Sequence, residues 1–282
     1  MKHYSFTSIQ ELTHVGRLPF VCERNSAHPF YRKTLGSGWI CSDRPSICYA
    51  RDVGPALQHP LFEPGVRRIE ELSRTVQAPA PRSRRRKPKR SAQGDDLDIQ
   101  RVWQGDLEHA WTEFKREQTI GPSRILLVVD VGANCHVLAE SMARRGTVAL
   151  SLATKLQAAG FVVSLIAATH MTLVTSEYRD ADSLCSEVCV LAPGQEIDVH
   201  KLANLIASAL LFRGVLLDHT VRTASMPLSS GISRARPLEL KHVNTTGFDR
   251  AVLIPELGTD EAAQTWLQNE IRALEGNNHD HV

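Results

Sequence analysis

Arg124-Ile-Leu-Leu-Val-Val-Asp130-Val-Gly-Ala-Asn134 opens the stretch that decides the fold, and Gly160-Phe-Val-Val-Ser-Leu-Ile-Ala-Ala168 closes it. Residues 125–129 are all apolar and rich in β-branched side chains, which suits a strand covered on both faces. Between the two runs, Leu138, Met142, Val148, Leu152 and Leu156 fall near helical spacing, and Gly160 stands where a helix-terminating glycine belongs. The spacing therefore predicts a helix over 137–159. Strand, helix and strand in that order make a βαβ unit. Asp130 stands at the C-terminal end of its first strand, the place where ligands of parallel sheets gather.

The alternation continues downstream. A third strand is predicted over 187–192, stopped by Pro193-Gly194, and a helix over 199–211 with Leu202, Leu205, Ile206 and Leu210 inward. Short apolar runs follow at 215–217 and 251–254, then a helix over 259–274 with Trp266, Leu267 and Ile271 toward the sheet. Residues 225–247 are weakly patterned and are expected to loop over the sheet's C-terminal edge. Val102, Leu107, Trp111 and Phe114 space as one more helix face, starting near Asp106 because Gly105 interrupts it. The fold class that follows is α/β, a mostly parallel sheet of Rossmann-like topology with helices on both faces.

Upstream, residues 1–76 read as a small mixed α+β module. Ser8 and Glu11 are spaced as a capping box, Gly36 and Gly38 mark a turn before a short strand, and Val66, Ile69, Leu72 and Val76 form a helix face. Residues 77–96 read as a disordered basic linker and 277–282 as a polar tail, leaving 97–276 as the α/β domain.

The chain has 282 residues, 42% hydrophobic and 23% charged, enough for a sizeable core. Its net charge of +2 hides a local excess, since Arg82, Arg84, Arg85, Arg86, Lys87, Lys89 and Arg90 place seven positive charges in nine residues. Without them the remainder is at −5, so the basicity belongs to one segment. The six cysteines form no C-x-x-C pair, the N-terminus has no apolar signal core, and no run of membrane-spanning length occurs. A reducing cytoplasmic setting with free thiols and no membrane is the expectation. Phosphate-binding G-x-x-x-x-G-K-[ST], dinucleotide-binding G-x-G-x-x-G and hydrolase G-x-S-x-G motifs are missing from the sequence, which removes the usual warrants for those activities.

Asp130 after the first strand, a helix-bearing connection to Gly160, and a carboxylate, Glu256, after the late strand at 251–254 resemble the layout of the von Willebrand factor A-type fold. That fold builds a divalent-ion site from Asp-x-Ser-x-Ser, a later Thr and a further Asp. Here Gly132 and Asn134 occupy the two serine positions. The resemblance therefore implies a degenerate site in which Asp130, Asn134 and Glu256 are the remaining ligands for Mg²⁺, with no other cofactor expected. The order of Asp98-Ile-Gln-Arg-Val-Trp, Ala133-Asn-Cys-His-Val, Arg145-Gly-Thr-Val-Ala, Leu156-Gln-Ala-Ala-Gly160 and Ile197-Asp-Val-His-Lys-Leu202 is similar to a group of bacteriophage and prophage proteins with such a domain. That similarity implies a phage or prophage setting and no catalytic role.

The expected function is non-catalytic: a protein partner bound by the loops at the sheet's C-terminal edge, through Asp130, Asn134, Arg144, Arg145, Asp198 and Glu256. Gly146, following the two arginines inside a predicted helix, implies close packing on the sheet. Two alternatives stand beside this reading. The basic run 82–90 suits nonspecific nucleic-acid contact, without an interleaved aromatic for stacking. Asp130 with Glu256 would also suit a divalent-ion-dependent binding or enzymatic site. Cys135-His136, His170, His200, Cys185 and Cys189 lack the spacing of a catalytic or zinc site, and the thiols are expected to be packed.

Overall fold

The structure is a computed structural model that describes residues 2–16, 62–77, 88–94, 96–114, 123–133, 137–173, 182–216, 219 and 233–276. Contacts divide the chain into two units, Met1–Ala80 with Arg124–Val282, and Pro81–Ser123. This differs from the division read from sequence. Lys2–Phe6 join the main sheet, and the second unit runs from Pro81, just before the basic run, to Ser123.

In the main unit the apolar run is β5 (Arg124–Asp130), an interior strand of the sheet. Its side chains alternate between two cores. Ile125, Leu127 and Val129 enter the larger one, while Leu126 and Val128 enter a smaller one on the other face. A two-residue period with both halves apolar is what makes this strand an interior one. Parallel neighbours flank it, β6 (Val162–Leu173) on one side and β9 (Arg250–Ile254) on the other. Beyond β6 comes β7 (Asp182–Leu191), antiparallel to it, and then β1 (Lys2–Phe6), parallel to β7. A short β8 (Ser233–Arg236) pairs with the far end of β6. The sheet is thus mixed but mainly parallel, with order β1-β7-β6-β5-β9.

The third predicted strand is present but reversed in direction. Residues 174–181 are too few for the crossover of a dozen or more residues that a parallel neighbour requires, so β6 and β7 turn back on each other.

The predicted long helix is α4 (Ala139–Ala158), thirteen of whose twenty residues are buried. It lies against β5 and β6, and on it pack α2 (Glu63–Thr75), α5 (Val199–Ile206) and α6 (Asp260–Gly276). With α1 (Ile9–Gly16), these helices all contribute to the larger core through residues such as Leu12, Ile69, Leu205 and Leu267. Helices on both faces was the expectation; among the described residues they pack on one. The second face is covered by 237–248, with Leu238 and Val243 buried over Leu126, Val128, Ala168 and Cys185. The weakly patterned 225–247 thereby acquires a role from 233 onward, and its earlier part lies outside the described residues. The apolar run at 215–217 is no strand either, since Leu211–Leu216 form a π-helical turn.

Gly146 does mark a close contact, but with a helix end instead of the sheet. A Cβ built there would lie 1.9 Å from the Ile206 carbonyl oxygen at the end of α5. Among the described residues no helix is long and apolar enough to cross a membrane.

The smaller unit carries an antiparallel sheet of order β2-β4-β3, with β2 (Pro88–Ser91), β3 (Asp96–Leu97) and β4 (Trp111–Phe114). Between β3 and β4 lie α3 (Ile99–Trp103) and a 3₁₀ turn, Leu107–His109. The single helix expected from Asp106 through Phe114 is therefore a turn and a strand. Gly105 takes φ +79°, which ends α3, and the aromatic, β-branched Trp111-Thr112 then pairs as a strand. Part of the predicted linker is ordered too, because Lys89 and Arg90 belong to β2. Arg82, Arg84, Arg85, Arg86 and Lys87 lie outside the described residues, as do Asn134, Cys135, His136 and the turn expected at 35–40.

Candidate functional site: the C-terminal edge of the sheet

The site forms where β5 ends. Asp130 is half-buried there, and its Oδ1 accepts the Gly132 N–H at 2.9 Å, a local turn that re-aims the chain after the strand. Its Oδ2 accepts the Leu238 N–H at 3.4 Å, tying down the segment that covers the second face. Burial is the dominant influence and raises the Asp130 carboxyl above its ordinary value. The Arg145 charge and the two N–H donors pull it part of the way back, and Glu256 adds a smaller upward push.

Arg145 holds this corner together. It is 3% exposed, inside α4, in the apolar stripe with Met142, Ala149, Leu152 and Leu156. Its guanidinium donates to the Asp130 carbonyl at 2.7 Å and to the Gly132 carbonyl at 3.3 Å, and lies 3.2 Å from Glu256 Oε2. Its Nε has no partner. One buried cation thus joins the loop after β5 to the loop after β9, which is why Asp130 and Glu256 meet in one crevice. Desolvating a guanidinium is costly unless such partners surround it, so the arrangement holds only while both loops stay in place.

Arg144, next in the helix, fastens the other side. It donates to Asp260 Oδ1 at 2.6 Å and to the carbonyls of Leu257 and Gly258 at 3.2 and 3.0 Å. Arg145 is buried and Arg144 half-buried. Above them, Glu256, Asp260 and Glu140 are exposed and give the rim an acidic character, and a cavity of about 340 Å³ opens beside it between α2, α4 and α6.

Asp198 does not join this group. Its side chain accepts the Lys201 N–H at 3.1 Å and caps α5. Because β7 runs antiparallel, the chain that follows it emerges beside the N-terminal ends of β5 and β6, opposite Asp130. Ile197 accordingly donates to Gln157 at the far end of α4. His200 follows Asp198 to that end.

The donors present do not fit a divalent ion. Both Asp130 oxygens face N–H donors, Glu256 faces Arg145, and a guanidinium lies against the carbonyls that an ion would use. Gly132 is required by close approach, since a Cβ there would be 2.6 Å from Thr169 Oγ1 and 3.0 Å from Asp130 Oδ1. A serine at that position has no room in this arrangement. No group of three or more His, Cys, Asp or Glu residues gathers among the described residues. Cys185, on the covered face, is a poor nucleophile. Burial first, then Glu187 and Asp130, push its thiol up to about 12.

Sequence reasoning missed Leu238 as a partner of Asp130 and the burial of Arg145. The second was legible in the positions of Met142, Arg145, Ala149, Leu152 and Leu156, which repeat every three or four residues.

A family model described as a domain of unknown function, DUF7192, matches residues 62–276. No curated protein and no solved structure matches the chain.

Proposed function

This chain belongs to the DUF7192 family, and we propose that it is a non-catalytic binding protein whose sheet edge, at the loops after β5 and β9, receives a protein partner. The supporting observation is the Arg145 bridge. A buried guanidinium that ties two loops together lowers the entropy a partner must remove on docking. The exposed rim of Glu256, Asp260 and Glu140 suits a partner presenting basic groups, through charge steering as well as contact. The Asp130 carboxylate is engaged by backbone donors and the Cys185 thiol is held protonated, and both features favour binding over group transfer. The von Willebrand A-like assignment belongs to the same reading and is supported by Asp130 and Glu256 sharing a crevice. The phage or prophage setting and host cytoplasm rest on the sequence resemblance alone. Affinity capture with quantitative mass spectrometry tests the proposal. A partner recovered by wild type is lost or weakened with Glu256→Gln and Asp260→Asn combined, whereas equal recovery by both sinks it.

A second reading has its own observation. Trp103 is 84% exposed on α3, and Arg90, the last residue of the basic run, pairs with Asp98 at the N-cap of that helix at 3.2 Å. An exposed indole in the same small unit as a basic run suits base stacking and phosphate neutralisation on a single-stranded nucleic acid. Anisotropy of a labelled oligo(dT) tests it. Trp103→Ala should weaken binding roughly ten-fold at constant salt, and no binding by wild type at low salt excludes it.

A further inference from the structure

The segment covering the sheet's second face meets it at two histidines, and the hydrogen bond that His242 accepts requires its neutral ring. His170 on β6 and His242 in the 3₁₀ turn Leu240–His242 stack with ring centroids 4.3 Å apart, tilted by 50°. His242 Nδ1 accepts the Glu239 N–H at 3.2 Å, part of the capping box that shapes the turn. A protonated Nδ1 would present a proton to a donor. His170 Nδ1 lies 3.3 Å from the Pro237 carbonyl and so carries the hydrogen, leaving Nε2 as the unprotonated nitrogen. That Nε2 is buried with no partner, so a proton added there finds no acceptor. The backbone of the same turn is held by the Cys185 thiol, which donates to the His242 carbonyl at 3.3 Å.

The charges around the two rings are of both signs. From β8, Arg236 stands opposite His170 and adds positive charge. From β7, Glu187 lies 3.5 Å from His3 of β1, and its Oε2 accepts no hydrogen bond. In the turn itself, Glu239 pairs with Lys241 at 2.8 Å, and from β5, Asp130 is engaged by Gly132 and Leu238. A proton on the His242 ring is therefore opposed by the neighbouring His170 and Lys241 and favoured by Glu239.

We propose that residues 237–248 form an acid-released strap, closed while His242 Nδ1 accepts the Glu239 N–H and opened when that nitrogen is protonated, uncovering Leu126, Val128, Ala168 and Cys185. Burial, then the His170 charge, lower the His242 ring below its ordinary value, with Glu239 opposing and Lys241 adding to the shift. A depressed histidine contributes stability that is present above its unfolded value, near 6.5, and lost as pH falls through the folded one. Opening therefore belongs to mildly acid conditions. Opening would also release the Leu238 N–H from Asp130 Oδ2, the bond that joins the strap to the edge site.

Hydrogen exchange tests the strap, with protection corrected for intrinsic rates at pH 7.5 and 5. In wild type, protection of 237–248 should fall roughly ten-fold or more at the lower pH while that of β5 persists. His242→Asn keeps an oxygen to accept the Glu239 N–H but cannot take the proton, and its strap should stay protected at pH 5. Should that variant fail to fold, NMR titration of wild-type His242 replaces it, and its midpoint must coincide with the loss of protection. Unchanged protection in wild type, an equal fall in the variant, or a midpoint that does not coincide overturns the proposal.

Discussion

At the scale of single residues, one glycine and one carboxylate are decisive. Gly146 lets α4 and the end of α5 touch backbone to backbone. Alanine is the better helix former by about 1 kcal/mol, but its Cβ would fall 1.9 Å from the Ile206 oxygen. We expect Gly146→Ala to lower stability by about 1–3 kcal/mol in urea unfolding, the usual cost of overpacking. A gain in stability would show that the two helices are not in contact. Asp130 is different, because it is held in spite of its burial. Its carboxyl is raised above 3.8, so wild type loses stability as pH rises through the folded value and regains it as pH falls. Asp130→Asn keeps an oxygen for Gly132 and cannot ionise. Its stability relative to wild type should therefore be greatest near pH 7 and should shrink as pH approaches 4, measured by chemical unfolding across that range.

Among the elements, α4 was the most legible and β7 the least. Leu138 through Leu156 at helical spacing, closed by Gly160, place α4 almost to the residue, because one face of a helix on a sheet must be apolar. The same stripe contains Arg145, whose charge disguised its burial until its carbonyl and carboxylate partners were seen. Direction was not legible for β7, since the residues of a strand alternate identically whichever way the chain runs. Only the shortness of 174–181 decides it, and with it the position of Asp198 at the wrong end of the sheet. In the smaller unit, Val102, Leu107, Trp111 and Phe114 spaced as a helix face misled because Gly105 splits them between a helix, a 3₁₀ turn and a strand. Asp130 and Glu256 came together as expected. They did so around a guanidinium instead of an ion, a difference that depends on α4 packing and not on either acidic residue.

On the scale of the whole molecule, the sheet recruits its last strand from the start of the chain. β1 precedes the family-matched span, yet it pairs with β7 over five residues and places Phe6 and Leu12 in the larger core. Burial of two such side chains contributes roughly 1.5–3 kcal/mol each, and the paired strand hides an edge that would otherwise template association. Removing residues 1–16 should lower stability by several kcal/mol on that basis and make the protein self-associate, as followed by unfolding and light scattering. A truncated protein of wild-type stability that remains monodisperse would place β1 outside the cooperative fold.

The measurement closest to the centre of the account is hydrogen exchange on Arg145→Met, which keeps the side chain's apolar reach and removes its charge. Loops 131–133 and 255–258 should lose protection together while Ile125–Val129 and the body of α4 keep theirs. Unchanged protection in both loops, or a loss confined to one of them, would contradict the claim that this guanidinium builds the edge.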